Sequence, residues 1–545
     1  MKVLGINAIF HDPAAALVVD GEIVAAAEEE RFSRRKHGKR PVPFSAWELP
    51  ERAARWCLET AGIEPRQLDA VGYSFDPELT LPTSEMGLHD PWDYLRRMYA
   101  EAAPRFIATA LAGLHAADVQ YVAHHVAHAA SAGLAAPHSA NDVLVLDGRG
   151  ERASHLAGQY DDTGALKVLA TQELPHSLGL MYEDMTEHLG FLRSSDEYKV
   201  MAMASYGQPR FSDALADAVY ATGDGGFRTE EIDWSTFAPA RLRGQDWTAD
   251  HADLAASVQR HLEDVLVELA AWLRNKTDGD VLTMAGGVAL NCVANTEIAR
   301  RSGYRDVWIQ PAAGDAGTAL GAALHLAQAG GDTLQPMRGA GLGRSWSDAE
   351  LAAELDKARL PYERPDDVAV AAADCLAENG VVAWFQGGSE YGPRALGHRS
   401  LLAHPGHQDN IHRLNDVKGR EQFRPIAPMV LAERAAEIFS RGPIPSPYML
   451  FTHDVASQWR HRIPAVVHVD GTARIQTVDR ADEPLVARVL DEFERRTGLP
   501  VVVNTSLNTA GRPMVDSPRD ALECFGSTPV DLLVLGPYVV RRGAL

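Results

Sequence analysis

The sequence predicts an α/β protein of two domains, the first of which contains two similar α/β lobes facing a cleft. Its 545 residues are too many for one ordinary hydrophobic core. A pattern of short apolar runs joined by turn residues occurs twice in the N-terminal part, which indicates an internal repeat. A glycine-rich stretch then separates this part from a second α/β pattern.

The first lobe opens with three apolar runs that predict strands at Val3–Asn7, Ala14–Val19 and Ile23–Ala27. Asp20-Gly21 favours a hairpin turn between the last two strands. The same order returns with apolar runs at 143–146, 155–160 and 166–170 and a turn at 161–164. In both units polar residues follow the first strand, so two hairpin loops could clasp a phosphate chain from opposite sides.

The domain boundary is expected within the glycine-rich residues 330–346. After them the pattern restarts, with a predicted helix at Val368–Glu378 and a predicted strand at Val381–Phe385. We therefore expect an N-terminal domain at 1–345 and a C-terminal domain at 346–545.

Composition excludes several classes of protein. The formal net charge of −22 disfavours a protein that wraps nucleic acid or lies on an anionic membrane. No apolar run reaches the roughly 20 residues that span a bilayer, and the first residues do not form a secretory signal. The four cysteines form no CxxC pair. A cytoplasmic enzyme without nucleic-acid or membrane partners is expected, and a homodimer is a candidate assembly.

The segment HHVAHAA contains a pair of histidines with metal-ligand spacing. His124 and His128 lie four residues apart in an alanine-rich helical pattern, so they project from one face. His125 and His128 form an alternative pair, and two solvated histidines on a helix surface would explain an isolated HxxxH equally well. Asp147 and Asp315 are the candidate acidic ligands. Such mixed ligation suits Fe²⁺, Mn²⁺, Zn²⁺ or Mg²⁺.

Two glycine-rich segments indicate a nucleotide pocket. MAGGVALN, from Met284 to Asn291, follows an apolar run and brings the backbone close to a ligand at Gly286 and Gly287. A tight turn used for packing would explain one Gly-Gly pair alone. Gly314, Gly317 and Gly321 predict a second glycine-rich turn before a helix, which favours the pocket.

A dense basic run follows the first hairpin. Within EEERFSRRKHGKR, five cations lie close together in an acidic protein, namely Arg34, Arg35, Lys36, Lys39 and Arg40. A charge run is usually a solvated loop. The functional interpretation is a mobile loop that meets phosphate groups, close to His11 and Asp12 at the end of the first strand.

The C-terminal part holds four loops rich in cations and small polar residues. They are GPRALGHRSLL at 392–402, VKGREQFRPIAP at 417–428, ARIQTV with Arg474 and Gln476, and VVVNTSLNTAGRP at 501–513. Arg and Lys on several loops, with Asn and Ser at a strand end, suit a small phosphorylated acid. Surface ion pairs would explain any single loop, but hardly all four.

Together these residues resemble the NodU/CmcH family of carbamoyltransferases, which modify nodulation factors, cephamycins, aminoglycosides, aminocoumarins and ansamycins. The resemblance covers nearly the whole chain. The motifs that carry it are FHDPAAALV, EEERFSRRKHG, HHVAHAASA, LDGRGE, SLGLMYEDMTEHLG, KVMAMASYG, AGGVALN, AAGDAGTALG, GPRALGHRSLL, REQFRPIAP and VVNTSLN. One departure is Ala202, where many relatives carry Gly, and a packing change is the expected consequence.

The resemblance implies an N-terminal actin-like ATPase (ASKHA, TsaD-like) domain with duplicated lobes and a C-terminal YrdC-like α/β domain. It implies that carbamoyl phosphate and ATP give carbamoyl-adenylate, whose carbamoyl group passes to a hydroxyl group of a small-molecule acceptor. The sugar hydroxyl of a secondary metabolite is the first expectation for that acceptor. Loops within 72–112 and 227–247 are candidates for its pocket.

The resemblance also assigns residues, with Fe²⁺ or Mg²⁺ as the expected metal and His11 as the base that takes the hydroxyl proton. The metal ligands are His124, His128, Asp147 and Asp315, and the catalytic residues are His11, Asp12 and Lys36. The nucleotide is expected at Gly148, Gly286, Gly287, Asn291, Asp315 and Lys199, and carbamoyl phosphate at Lys418, Arg424, Arg474, Asn504 and Ser506. The alternatives are a threonylcarbamoyl-type tRNA-modifying enzyme and a non-catalytic nucleotide-binding regulator.

Overall fold

The computed structural model describes residues 1–38, 48–88 and 90–543. Lys39 and Arg40 of the predicted basic run lie outside the described residues. The chain divides into two compact units, Met1–Arg338 and Gly339–Leu545. The division falls inside the glycine-rich stretch, a few residues before the boundary expected from the sequence.

The N-terminal unit alternates strands and helices. Its strands are β1 (Lys2–Asn7), β2 (Ala14–Val19), β3 (Glu22–Glu28), β4 (Ala70–Tyr73), β5 (Val119–Tyr121), β6 (Asn141–Leu146), β7 (Ala153–Tyr160), β8 (Leu166–Glu173), β9 (Val219–Ala221), β10 (Phe227–Thr229), β11 (Val281–Ala285) and β12 (Asp306–Ile309). Its α-helices are α1 (Glu30–Ser33), α2 (Glu51–Ala61), α3 (Asp93–Ala110), α4 (His124–Gly133), α5 (Leu178–His188), α6 (Glu197–Ala204), α7 (Ser212–Leu215), α8 (Ala249–Thr277), α9 (Cys292–Arg301) and α10 (Ala316–Ala329). Short 3₁₀ turns lie at Lys36–Gly38, Pro65–Gln67, Pro77–Leu79, Ala116–Asp118, Trp234–Thr236 and Gly287–Leu290.

The predicted repeat is visible in two sheets with the same connectivity. One sheet has the order β3-β2-β1-β4-β5 and the other the order β8-β7-β6-β11-β12. In each sheet, the first three strands in sequence pair antiparallel with one another in order. The fourth strand pairs parallel with the first, and the fifth pairs parallel with the fourth. In each sheet the turn between the second and third of these strands lies where the turn residues predict it, at Asp20-Gly21 and at 161–164.

Helix α10 packs closely on its neighbours because glycines leave room for it. A Cβ atom at Gly321 would lie 1.7 Å from the carbonyl oxygen of Ala127 in α4, and one at Gly5 of β1 would lie 1.8 Å from the carbonyl oxygen of Ala319. Gly317 and Gly321 lie inside α10, so the prediction of a glycine-rich turn at these two positions is wrong. Gly321 permits close packing on α4, whereas Gly317 leaves room for the carbonyl oxygen of Ala312 in the turn before the helix, where Gly314 also lies.

The C-terminal unit has a mixed sheet covered by helices. Its strands are β13 (Val382–Phe385), β14 (Arg399–Ala403), β15 (Ala427–Leu431), β16 (Phe439–Ser440), β17 (His453–Val455), β18 (Thr472–Ala473), β19 (Gln476–Val478), β20 (Val501–Ser506), β21 (Leu532–Leu535) and β22 (Tyr538–Arg541). Its helices are α11 (Asp348–Ala358), α12 (Val368–Ala377), α13 (Asn410–Val417), α14 (Ala432–Ile438), α15 (Ser457–Arg460), α16 (Pro484–Thr497) and α17 (Pro518–Ser527), with a 3₁₀ turn at Pro464–Val466. The main sheet has the order β19-β15-β20-β14-β13-β21-β22, and a small sheet has the order β16-β17-β18.

The core of this unit lies between the sheet and the helices α12 and α16. Trp384 of β13, Phe493 of α16 and Leu376 of α12 are fully or almost fully buried in it. The continuous apolar runs of β13, β20 and β21 are typical of strands that are buried on both faces. Among the described residues, no helix has the length and apolar character that a bilayer crossing requires.

Candidate active site

The first site is built on the N-terminal end of α4. His124 is the first residue of this helix and His128 lies one turn further along, so both rings project from the same face. Both side chains are completely buried. Buried histidines on an alanine-rich helix require polar partners, which two other elements supply.

Two carboxylates face these imidazoles from the ends of other elements. Asp147 directly follows β6, and Asp315 directly precedes α10. The Nε2 atom of His124 lies 3.4 Å from Oδ2 of Asp147 and 3.7 Å from Oδ1 of Asp315. The Nε2 atom of His128 lies 3.7 Å and 3.6 Å from the same two oxygens. The four side chains thus place two nitrogens and two oxygens around one point.

These spacings suit a shared cation better than direct hydrogen bonds. Hydrogen bonds of this type have donor–acceptor distances near 2.7–3.2 Å. Around a cation with ~2.1 Å bonds, tetrahedral ligands lie about 3.4 Å apart. The four ligand atoms all lie within 4.8 Å of one another. The residues present therefore fit a divalent cation.

The hydrogen bonds around the histidines also fit a divalent cation. Nδ1 of His124 donates to the carbonyl oxygen of Ser74 at 3.1 Å, which leaves the lone pair on Nε2. The Nε2 atoms of His124 and His128 are buried without a hydrogen-bond partner. Native structures rarely bury such atoms unpaired, and a bound ion would explain them.

The imidazoles and carboxylates of this cluster stabilise each other's charged forms. Burial alone would lower the pKa of His124, but Asp147 and Asp315 raise it well above its usual value. Burial would raise the pKa of Asp147, but the two imidazoles hold it well below its usual range. The carboxylates are therefore ionised at neutral pH and available as ligands, and a cation that binds here would displace the proton from Nε2 of His124.

His125 does not join the cluster. Burial lowers its pKa to about 3, so it is neutral at physiological pH. Its ring is stacked near that of His128, with 6.3 Å between the centroids. Of the two pairs that the sequence left open, the pair with four-residue spacing is the one that faces both carboxylates.

Of the predicted nucleotide residues, Gly286 and Gly287 lie beside Asp147 of this cluster, whereas the side chain of Asn291 has a local role. The backbone N–H of Gly287 donates to Oδ1 of Asp147 at 3.0 Å. Gly286 has φ 93°, and a Cβ atom there would lie 2.1 Å from the carbonyl oxygen of Leu146, so only glycine fits. The side chain of Asn291 caps α9 by accepting from the N–H of Ala294 at 3.1 Å.

The other two predicted nucleotide residues lie near helices α5 and α6. The carbonyl oxygen of Gly148 accepts from the hydroxyl of Ser177 at 2.6 Å. Lys199 lies 3.1 Å from the carboxylate of Asp196, one turn before it in the chain. Burial raises the pKa of Glu197, at the start of α6, to about 7.

A second cluster groups His11, Asp12 and His37. Nδ1 of His11 lies 2.8 Å from Oδ2 of Asp12, and Nδ1 of His37 lies 2.8 Å from Oδ1 of the same carboxylate. Nε2 of His11 contacts the carbonyl oxygen of Ser194. Lys36 extends over the ring of Tyr198, 5.9 Å from its centroid. The structure thus brings His11 and Asp12 together as predicted and adds His37.

Sequence reasoning missed His37. It lies inside the basic run, but no role was predicted for it. The available signal was its position next to Lys36 in the motif EEERFSRRKHG, which the family resemblance placed beside the carbamoyl group.

In the C-terminal unit, Lys418 and Ser506 lie together. The ammonium group of Lys418 donates to the hydroxyl of Ser506 at 2.8 Å and also contacts the side-chain oxygen of Asn508. Lys418 directly follows α13, and Ser506 ends β20. Asn508 was noted in the sequence motif but was not assigned to the site.

The other predicted carbamoyl-phosphate residues have separate contacts. Asn504 is completely buried and donates to the side-chain oxygen of Gln476 at 2.7 Å. Nε of Arg474 is buried without a hydrogen-bond partner. Arg424 lies 3.6 Å from Glu421. Of the five predicted carbamoyl-phosphate residues, Lys418 and Ser506 therefore contact each other directly.

Comparison with known proteins agrees with the family resemblance of the sequence. The family described as "Carbamoyltransferase N-terminus" matches residues 2–324, and "Carbamoyltransferase C-terminus" matches residues 373–542. The nodulation protein NolNO of Sinorhizobium fredii is 37% identical over 565 residues, covering 98% of this chain and 80% of that protein. The nodulation protein NolO of Bradyrhizobium diazoefficiens is 38% identical over 436 residues, covering 77% of this chain and 78% of that protein.

Solved structures are more distant. The crystal structure of T. kodakarensis HypF has a TM-score of 0.38 and 15% identity, with 59% of this chain and 47% of that chain covered. The two family matches and the nodulation relatives, by contrast, extend over most of the chain, and the chain therefore belongs to the NodU/CmcH family and is a carbamoyltransferase.

Proposed function

We propose that this carbamoyltransferase is ATP-dependent and transfers the carbamoyl group to oxygen. Carbamoyl phosphate and ATP would give carbamoyl-adenylate with release of pyrophosphate. A hydroxyl group of a small molecule would then attack the carbamoyl carbon, and AMP would leave. A sugar hydroxyl of a secondary metabolite is the acceptor we favour.

The observation that carries this proposal is the buried cluster of His124, His128, Asp147 and Asp315. Its two unpaired Nε2 atoms and two ionised carboxylates form a donor set suited to Fe²⁺ or Mg²⁺. A divalent cation held there would neutralise charge on the nucleotide phosphates. The duplicated lobes support the choice of nucleotide, because Phe10 in the β1–β2 connection packs against His124 and Asp147 lies in the β6–β7 connection.

The chain's own groups would position the nucleotide. The glycine turn after β11 exposes backbone close to Asp147, and Gly286 tolerates no side chain there. The backbone at Gly148 follows the metal ligand Asp147 directly, so a phosphate group near the cluster would lie against it. We assign Lys199 and Asn291 to the same site on the resemblance alone.

The transfer site is proposed at His11, Asp12 and Lys36. An alcohol is a weak nucleophile, and adenylation gives the carbamoyl group a good leaving group. Removal of the hydroxyl proton by a positioned base contributes typically about 10²–10⁴-fold. The cationic Lys36 would stabilise negative charge as the AMP phosphate departs.

Carbamoyl phosphate is proposed to bind in the C-terminal unit, at Lys418, Arg424, Arg474, Asn504 and Ser506. Lys418 presents an ammonium group already oriented by Ser506 and Asn508, and cations of this kind bind phosphate oxygens. The matching domain assignment, TsaD-like for 1–345 and YrdC-like for 346–545, is part of the same proposal.

The test is pyrophosphate release by the purified full-length protein. We expect release to require both ATP and carbamoyl phosphate, and ¹⁴C from carbamoyl phosphate to enter one of five acceptors: a nodulation lipo-oligosaccharide, a cephem, an aminoglycoside, an aminocoumarin or an ansamycin. Release without carbamoyl phosphate would contradict the proposal. Tight binding of bulk tRNA at physiological salt would favour a tRNA-modifying enzyme instead.

A further inference from the structure

Asp12 bridges two imidazoles through its two carboxylate oxygens. The hydrogen bonds to Nδ1 of His11 and Nδ1 of His37 are both 2.8 Å long. Asp12 and His37 adopt φ values of 45° and 60°, which residues other than glycine rarely adopt. The side chain of Asn7 holds this loop by donating to the carbonyl oxygens of His11 and Asp12. Strained backbone of this kind concentrates at functional sites.

The carboxylate fixes where the protons of both rings lie. Burial would raise the pKa of Asp12, but the facing His11 and His37 hold it well below its usual range, so the group is ionised. An ionised carboxylate only accepts hydrogen bonds, and Nδ1 of each ring is therefore the donor. The remaining proton acceptor on each neutral ring would be Nε2.

The two rings differ at Nε2. In His11 this nitrogen contacts the carbonyl oxygen of Ser194, which is a second acceptor. A lone pair on Nε2 would face the lone pairs of that carbonyl, so His11 is held as a donor at both nitrogens. In His37, Nε2 is buried and has no hydrogen-bond partner among the residues that the structure describes. The free lone pair of this cluster therefore lies on His37.

The distances between their ligand atoms also indicate that His11, Asp12 and His37 are joined by hydrogen bonds and do not form a second metal site. Their ligand atoms are grouped closely enough to hold an ion. However, 2.8 Å is the length of a charge-assisted hydrogen bond, and it is shorter than the separation of about 3.4 Å between ligands of a tetrahedral cation.

We propose that His37 is the general base of carbamoyl transfer and that Asp12 is its positioning residue, an inference that rests on the proposed function. The acceptor oxygen forms a bond to the carbamoyl carbon while its proton moves to Nε2 of His37. The bond between that carbon and the phosphate oxygen breaks, and its electron pair leaves with AMP. His11 donates hydrogen bonds and stays protonated during the step.

His37→Asn is the sharpest variant. The amide nitrogen of Asn can replace Nδ1 of histidine as donor to Asp12, whereas nothing replaces Nε2. The matched control is Arg55→Ala on the exposed face of α2, where Arg55 pairs only with solvent-exposed groups such as Glu51. Metal content and the circular dichroism spectrum of the full-length proteins check that both variants fold.

The assay supplies carbamoyl-adenylate directly and measures AMP release with two nucleophiles. Trifluoroethanol must lose a proton as it attacks, whereas neutral hydroxylamine attacks through its nitrogen lone pair before any proton is lost. We expect His37→Asn to slow the trifluoroethanol reaction by about 10²-fold or more and to leave the hydroxylamine reaction within a few-fold of wild type. His11→Asn should slow both reactions, because its protonated ring serves either nucleophile.

The pH profile separates a base from a structural role. The wild-type rate with trifluoroethanol should rise with pH through one ionisation that is missing in His37→Asn. Among the described residues, the charged and titratable groups next to His37 are Asp12, His11, Lys36 and Glu30, whose carboxylate accepts from the N–H of His37 at 2.8 Å. An unchanged profile, or equal losses with both nucleophiles, would overturn the assignment of the base. No AMP release by the wild-type enzyme with either nucleophile would overturn the proposed function itself.

Discussion

Three histidines on one helix turn have different surroundings, which permits a controlled test of the metal site. We expect His124→Ala and His128→Ala to lose bound metal, because each removes one of four ligands from a buried cluster. His125→Ala is the matched control, since His125 is also buried but is not part of the ligand cluster. Metal analysis of the three purified variants checks this. Equal metal content in all of them would contradict the assignment.

A second residue-scale prediction concerns pH. Burial and the neighbouring Glu183 raise the pKa of Glu197 to about 7, above its ordinary value of 4.5. The neutral carboxyl is thus favoured in the folded state, and its stabilising contribution is present below pH 4.5 and lost as pH rises through 7. At pH 8 we expect Glu197→Gln to be more stable than wild type by about 1–3 kcal/mol.

The measurement is urea unfolding at pH 5 and pH 8. The advantage of Glu197→Gln over wild type should grow between the two values. Glu101→Gln, at an exposed position of α3, is the control and should show little change. A constant difference between wild type and Glu197→Gln at both pH values would contradict the prediction.

Contacts between site side chains could be predicted better for residues in or next to regular elements than for residues on strained loops. His124 and His128 could be paired because helical spacing places them on one face, and Asp147 because it ends a strand. The contact of His37 with Asp12 could not be predicted, because it depends on left-handed backbone at both residues. Spacing along the chain carries no information about such a turn.

At the scale of elements, the strands and hairpins of the repeat follow from apolar runs and turn residues, and the structure has them within a few residues of the predicted bounds. The glycines of α10 were misinterpreted for a physical reason. Glycine marks both tight turns and close helix packing, and only the partner helix distinguishes them. Gly321 faces α4, which the sequence alone does not show.

Close packing of α10 on α4 predicts a strong effect of one methyl group. Gly321→Ala would place Cβ 1.7 Å from a backbone oxygen of α4, so we expect the N-terminal unit to lose about 1–3 kcal/mol of stability. Because α4 carries His124 and His128, metal content should fall as well. Gly526→Ala in α17 is the control, since its Cβ would meet nothing within 4 Å, and the better helix propensity of alanine should leave it unchanged or slightly stabilised. Thermal unfolding of both variants checks the contrast.

At the scale of the whole molecule, the two units are expected to perform different steps. Each has its own sheet and core, and the candidate residues for carbamoyl phosphate lie in Gly339–Leu545, whereas those for metal and transfer lie in Met1–Arg338. A change confined to one set should therefore affect one step. This expectation does not depend on how the units are arranged.

Arg474→Ala is the variant that tests this division. The guanidinium of Arg474 has a buried nitrogen without a partner, as expected for a group that binds an anion, and its loss should abolish pyrophosphate release from ATP and carbamoyl phosphate. Transfer from supplied carbamoyl-adenylate should stay within a few-fold of wild type, because His11, Asp12 and His37 are untouched. Arg462→Ala, whose guanidinium donates to a backbone oxygen at the surface of the same unit, should retain both activities. Loss of both activities in a folded Arg474→Ala protein would show that the two steps share one site.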